Sequence, residues 1–159
     1  MQGQSILYKF KTLNIANKLI VINIAVFLLF FIASFLFNTS SEVLMQWFVL
    51  PEEPIEVLKQ PWSLLTYGFL HGGFMHILFN MFALFMFGIA VERVFGQRKF
   101  LTLYISSGLG AVALTFIVYY VKIYPSLIEL QSLGFSFDFI KEVLKLDILS
   151  DRMFQGDIL

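Results

Sequence analysis

His76 and Asn80 are four residues apart inside an apolar run, and on a helix that spacing stacks them on one face. With the helix starting near Phe74, Asn80 lies roughly 9 Å below that end, within the apolar stretch. An imidazole and a carboxamide at that depth need hydrogen-bond partners, and such groups face a cavity or a neighbouring helix. The pair therefore reads either as the polar part of a functional site or as glue that hydrogen-bonds one helix to the next. His71 lies outside the pair, set off by Gly72 and Gly73, and falls in the loop or first turn. His71 and His76 are five apart, about 140° around a helix, unlike the pair of a zinc-binding helix that stands four apart. No carboxylate accompanies them on the run, so neither a metal site nor a cofactor is expected.

The run that carries the pair is one of three of spanning length: 19–37, interrupted by Asn23 and Ser34, then 74–91, then the uncharged 100–121. About 20 apolar residues at 1.5 Å each cross a hydrocarbon core of about 30 Å, so each run suffices. Helix is the reading that satisfies isolated spans, because lipid offers the backbone no partner. Composition agrees. Of 159 residues, 58% are apolar and 14% charged, and the mean hydropathy is +0.81. A soluble domain carries roughly 25% charged residues, and so little charge could not cover a soluble globule. Twenty phenylalanines exclude intrinsic disorder. Eleven basic residues offset eleven acidic ones with no basic stripe, so nucleic-acid binding has no support. Without cysteine, disulfides, thiolate metal sites and cysteine nucleophiles are all excluded. The expected fold class is all-α, a polytopic membrane protein with three transmembrane helices.

Charge sets the expected orientation. Residues 1–18 carry Lys9, Lys11 and Lys18 and no acid, whereas 38–73 carry Glu42, Glu52, Glu53 and Glu56 against Lys59. The link 92–99 carries Arg93, Arg98 and Lys99 against Glu92, and from 122 onward six acids face four basic residues. This alternation places the N-terminus in the cytoplasm, the 38–73 loop outside, the link inside and the tail outside. A cleaved signal peptide fits poorly, since the first run exceeds an apolar region of about 7–15 residues and Phe35, Leu36 and Phe37 make no cleavage site. In the tail, Phe137, Ile140, Leu144 and Ile148 alternate with Asp138, Lys141, Glu142 and Lys145. That spacing reads as an amphipathic helix at the outer interface or as a solvated helix packed on the protein. Ser106 with Gly110, and Ser107 with Ala111, give the third run small faces for a neighbouring helix or another copy of the chain, so the oligomeric state stays open.

The string PWSLLTYGFLHGGFMHILFNMFALFMFGIAVERVFG, residues 61–96, resembles the rhomboid intramembrane serine proteases. The second helix of that family carries His, four residues, His, three residues, Asn, and here these are His71, His76 and Asn80. Trp62 stands where the family begins a Trp-Arg motif in the first external loop, with Ser63 in place of the arginine. Gly88, Val91, Glu92, Gly96 and Lys99 are similar to the family's exit from that helix, and Tyr104 and Gly108 to the small-residue face of the third. The resemblance covers about residues 15–121, and its specific part is 61–110. It implies an incomplete rhomboid-like helical bundle, with 1–121 as the N-terminal half of the membrane domain and 122–159 as an external loop or tail. It also implies a Ser-His dyad on later helices, His76 and Asn80 as donors to the tetrahedral oxyanion, and single-span membrane proteins as substrates.

The dyad itself is missing. No G-x-S-G occurs, the nearest string ISSGLG has Ile105 where the first glycine belongs, and both histidines already lie in the second-helix motif. We therefore expect the N-terminal part of a rhomboid protease, inactive alone and cut off in mid-loop, in a bacterial cytoplasmic membrane. Two further expectations stay open: a non-catalytic rhomboid-like protein that binds transmembrane helices, and a small membrane scaffold or transporter subunit that uses His76 and Asn80 as glue. The expected partners are the lipid bilayer and transmembrane helices, as substrates or clients.

Overall fold

The computed structural model describes residues 6–136, 139, 140 and 142, and among them every regular element is a helix. Of the amphipathic pattern expected in the tail, Phe137, Asp138, Lys141, Leu144, Lys145 and Ile148 lie outside the described residues. The chain opens with α1 (Ile6–Thr12) and α2 (Ile15–Phe37). A loop of short pieces follows: α3 (Ser41–Met45), a 3-10 turn (Pro54–Leu58), α4 (Ser63–Thr66) and a second 3-10 turn (Tyr67–Phe69). The polar pair rides on α5 (Phe74–Ala83), which passes through a π turn (Leu84–Gly88) into α6 (Ile89–Phe95). Then come α7 (Gln97–Val118), a π turn (Tyr119–Ile123) and α8 (Tyr124–Ser132).

Three helical stretches are long and apolar enough to cross a membrane: Ile15–Phe37, Phe74–Phe95 and Gln97–Ser132. Each contains one of the expected runs and extends it, because helix ends are set by capping rather than by hydropathy. At the start of α2 the Asn14 side chain accepts from Asn17 N at 2.8 Å. Glu92 accepts from Ile15 N and Ala16 N at 2.8 and 2.7 Å. Three amides that a helix start leaves open are thereby satisfied, so α2 begins four residues ahead of its apolar run. Its other end closes on Asn38 in the left-handed region (φ 49°), and the Ser34 hydroxyl donates to Thr39 O at 2.6 Å. Ser34 thus interrupts the apolar run as part of a cap. The second stretch stops at Gly96, whose φ of 83° and ψ of 161° belong to a region that L side chains avoid.

The chain divides into two compact units, residues 1–113 and 114–159. In the first, Ala16, Leu19 and Phe100 form a buried cluster against which Phe69, Leu84, Ile89 and Tyr104 pack. Ala16 is fully buried because Gly88 faces it; a Cβ on Gly88 would come within 3.5 Å of the Ala16 Cβ. Asn23 is also fully buried, donating to Leu19 O at 2.8 Å with the Tyr104 phenol as a polar neighbour. Elsewhere large apolar side chains such as Phe35, Phe37 and Phe87 stand exposed, as expected of helices whose surroundings are lipid. In the second unit, Tyr119, Tyr120 and Tyr124 pack together with ring centroids 5.3 to 6.3 Å apart.

Candidate functional site

The loop ahead of α5 is tied down before it delivers His71. Three consecutive carbonyls, those of Trp47, Phe48 and Val49, accept from Trp62 Nε1 (2.7 Å), Thr66 Oγ1 (2.7 Å) and Gln60 Nε2 (3.1 Å). Tyr67 then reaches α7, its hydroxyl donating to Gly108 O at 2.7 Å. Ser63 is fully buried with its hydroxyl unpartnered. These contacts give two motif residues a structural reason. Trp62 clamps the loop on itself, and Gly108 offers its carbonyl to the loop.

From there the backbone is extended at Leu70 and at Gly73, and α5 starts at Phe74 with Ile77 N bonded to Gly73 O at 3.2 Å. His71 is therefore not on the helix. The five-residue spacing would hold the two imidazoles apart on one helix, but the extended connection folds His71 back over the first turn. The ring centroids of His71 and His76 are 5.1 Å apart, with planes at 61°. His71 is 4% exposed and its Nδ1 has no hydrogen-bond partner. Burial lowers its pKa from the ordinary 6.5, the nearby His76 lowers it further, and the Phe69 carbonyl opposes both. His71 is thus held neutral where a free histidine would begin to protonate.

His76 and Asn80 sit one turn apart on α5, and both are exposed. Among the described residues, the His76 side chain has His71 as its ring neighbour and makes no hydrogen bond, and neither does the Asn80 side chain. Among the described residues nothing occupies either donor, so both can meet a group arriving from outside. The opposite side of α5 is different. There Phe74, Ile77, Leu78 and Met81 meet Ile24, Phe27, Leu28 and Phe31 of α2 around an apolar groove of about 560 Å³. The two faces are roughly 130° apart around the helix. One side of α5 joins hydrocarbon to α2, while the other presents an imidazole and an amide.

The remaining motif residues lie at the far end of this second stretch and on α7. Gly88 closes the π turn and Glu92 is 5% exposed on the start of α2. Tyr104 lies against Phe100 in the cluster (centroids 6.4 Å). No group of three or more His, Cys, Asp or Glu residues able to hold a metal occurs among the described residues. Reasoning from sequence passed over Tyr67 and Asn23. A lone tyrosine in a loop carries no periodic signal, and Asn23 read as a polar interruption until burial gave it neighbours.

Comparison with known proteins bears on the same stretch. The family model for the Rhomboid domain matches residues 58–137. The chain is 38% identical over 77 residues to Rhomboid protease GluP of Bacillus subtilis, covering 48% of this chain and 15% of that protein. It is 36% identical over 80 residues to RHOMBOID-like protein 2 of Arabidopsis thaliana, covering 50% of this chain and 25% of that one. With Rhomboid protease AarA of Providencia stuartii the identity is 50% over 42 residues, 26% of this chain and 15% of that one. The chain thus spans a quarter or less of the length of each of these relatives. No solved structure matches it.

Proposed function

The chain belongs to the rhomboid family, a family of intramembrane proteases, and on that premise we propose that His76 and Asn80 are the oxyanion-binding half of a serine endopeptidase site within the membrane. The observation that carries this is the exposed, unbonded pair on an otherwise apolar helix. When a serine oxygen attacks a peptide carbonyl, its proton passes to a base and the carbonyl oxygen gains negative charge. Two N–H donors, one on an imidazole and one on an amide, stabilise that oxygen, and one such donor held in place is typically worth about 3–4 kcal/mol of barrier. The serine and the base come from outside these 159 residues, which hold no G-x-S-G and no third histidine.

The substrates in this reading are single-span membrane proteins with locally unstable helices, cut near the outer face. The alternation of basic and acidic segments supports a cytoplasmic N-terminus, with the His76 end of α5 toward the outside of a bacterial cytoplasmic membrane. The missing dyad favours a second reading, a non-catalytic relative that binds transmembrane helices at the same polar face.

One experiment separates them. Membranes holding the native gene product are treated with a fluorophosphonate probe and a fluorogenic single-span substrate. Labelling of a serine, with cleavage that disappears in Asn80→Leu, carries the protease reading. A stable membrane product with no labelled serine that still cross-links transmembrane helices overturns it in favour of the second.

A further inference from the structure

We infer that His71 is a positioning residue: from the loop ahead of α5 it restricts the rotamer and ring plane of the His76 imidazole. Its consequence for chemistry rests on reading His76 as an oxyanion donor; the positioning itself does not. The two rings meet at 5.1 Å and 61°, the edge-toward-face arrangement that aromatic rings prefer over stacking face to face. The asymmetry between them assigns the direction of control. His71 is 96% buried and belongs to a loop tied through Trp62, Thr66 and Tyr67, so it has little freedom to turn. His76 is exposed and, among the described residues, makes no side-chain hydrogen bond and has no other ring against it.

An exposed imidazole without partners samples several rotamers. A donor must present N–H at one place, so something has to remove that freedom before substrate arrives. The His71 ring is what this structure offers. Its lowered pKa supports the arrangement, because a neutral His71 does not repel a proton on its neighbour. The extended Leu70 and Gly73 put the ring there, and a helix begun three residues earlier would turn it away.

The test needs no catalysis. The full chain, labelled with 15N and 13C histidine and held in detergent micelles at pH 8, is examined by NMR as wild type, His71→Phe and His71→Ala. The positioning role predicts a restricted ring for His76 in the wild type. His71→Phe keeps a ring in the space, so the His76 ring should stay restricted. His71→Ala should release it. A mobile His76 ring in the wild type, or unchanged ring dynamics in a folded His71→Ala, would overturn the inference. That result would leave the oxyanion reading intact, since Asn80→Leu tests the latter separately.

Discussion

The Glu92 carboxylate closes on the first turn of α2, taking the Ala16 amide on Oε2 at 2.7 Å and the Ile15 amide on Oε1 at 2.8 Å. A residue 76 positions along the chain thereby satisfies the end of the first spanning helix and complements the positive end of its dipole. Glu92 and Ala16 are buried, so the Ala16 amide has no water to fall back on, while the bond from Ile15 is part-buried. Two charge-assisted bonds are at stake, each typically worth about 1.5–3 kcal/mol when one side is ionised. Glu92→Ala should therefore destabilise the membrane-embedded state by about 3 kcal/mol or more. Glu92→Gln keeps one acceptor and should lose about half of that. Unfolding of detergent-solubilised protein checks both, and a loss below about 0.5 kcal/mol for Glu92→Ala would show that the amides find other partners.

Gly96 ends α6 and turns the chain into α7 at φ 83° and ψ 161°, with open space where a Cβ would go. The demand for glycine is thus conformational, not steric. Gly96→Ala should cost about 1–3 kcal/mol, the range for a side chain forced into that region. Gly72→Ala is the control. Its φ is ordinary and nothing lies near its Cβ, so the same unfolding measurement should register little change.

These two residues show where the sequence is legible. Three apolar runs announce three spanning helices because hydrocarbon imposes a length and a composition on anything that crosses it. The ends of those helices escape the same reasoning. Asn14 is a residue type that caps helices, but the start of α2 also depends on the Glu92 carboxylate of α6, which nothing local around Asn14 signals. The spacing of His76 and Asn80 reads correctly as one face, since both lie on one uninterrupted helix. That His71 meets His76 does not follow from spacing, because the backbone leaves helical geometry at Leu70 and Gly73. The second π turn, Tyr119–Ile123, likewise has no proline or glycine inside it to announce it.

Acidification should weaken the fold through His71. Its pKa is lower in the folded protein than the ordinary 6.5, by burial first and by His76 second. Below about pH 6.5 the unfolded chain takes up the proton first, so stability falls as pH drops toward the folded value and is kept above that window. Unfolding compared at pH 7.5 and 5.5 should show the loss in the wild type. His71→Phe should flatten the part of the slope that belongs to this side chain, and an unaltered slope would rule out His71 as its source.

Ser63 is fully buried with an unpartnered hydroxyl. Burying such a group unsatisfied is costly, so removing the oxygen relieves a penalty while leaving a small void. Ser63→Ala is therefore expected to be neutral or stabilising by up to about 1 kcal/mol. Ser63→Arg must bring a guanidinium into a site with no exposed surface and should destabilise strongly. Paired melting curves decide the matter, and a clear loss in Ser63→Ala would mean that the hydroxyl has a partner after all.

Asn80 distinguishes a catalytic donor from interhelical glue. In this chain its side chain is exposed and unbonded among the described residues, so Asn80→Leu removes no contact and places an apolar group on an apolar helix. Stability of the chain should stay within about 0.5 kcal/mol of wild type. If the amide instead holds two helices together, the same change should weaken their association by about 0.6 kcal/mol or more. The proposed oxyanion role makes the opposite pairing of results. In a form that carries the serine and the base, Asn80→Leu should lower kcat by about 10²–10³ with KM nearly unchanged, because the donor engages charge that appears only in the transition state. Intact stability with a collapsed kcat identifies the donor, whereas weakened association with a preserved kcat identifies the glue.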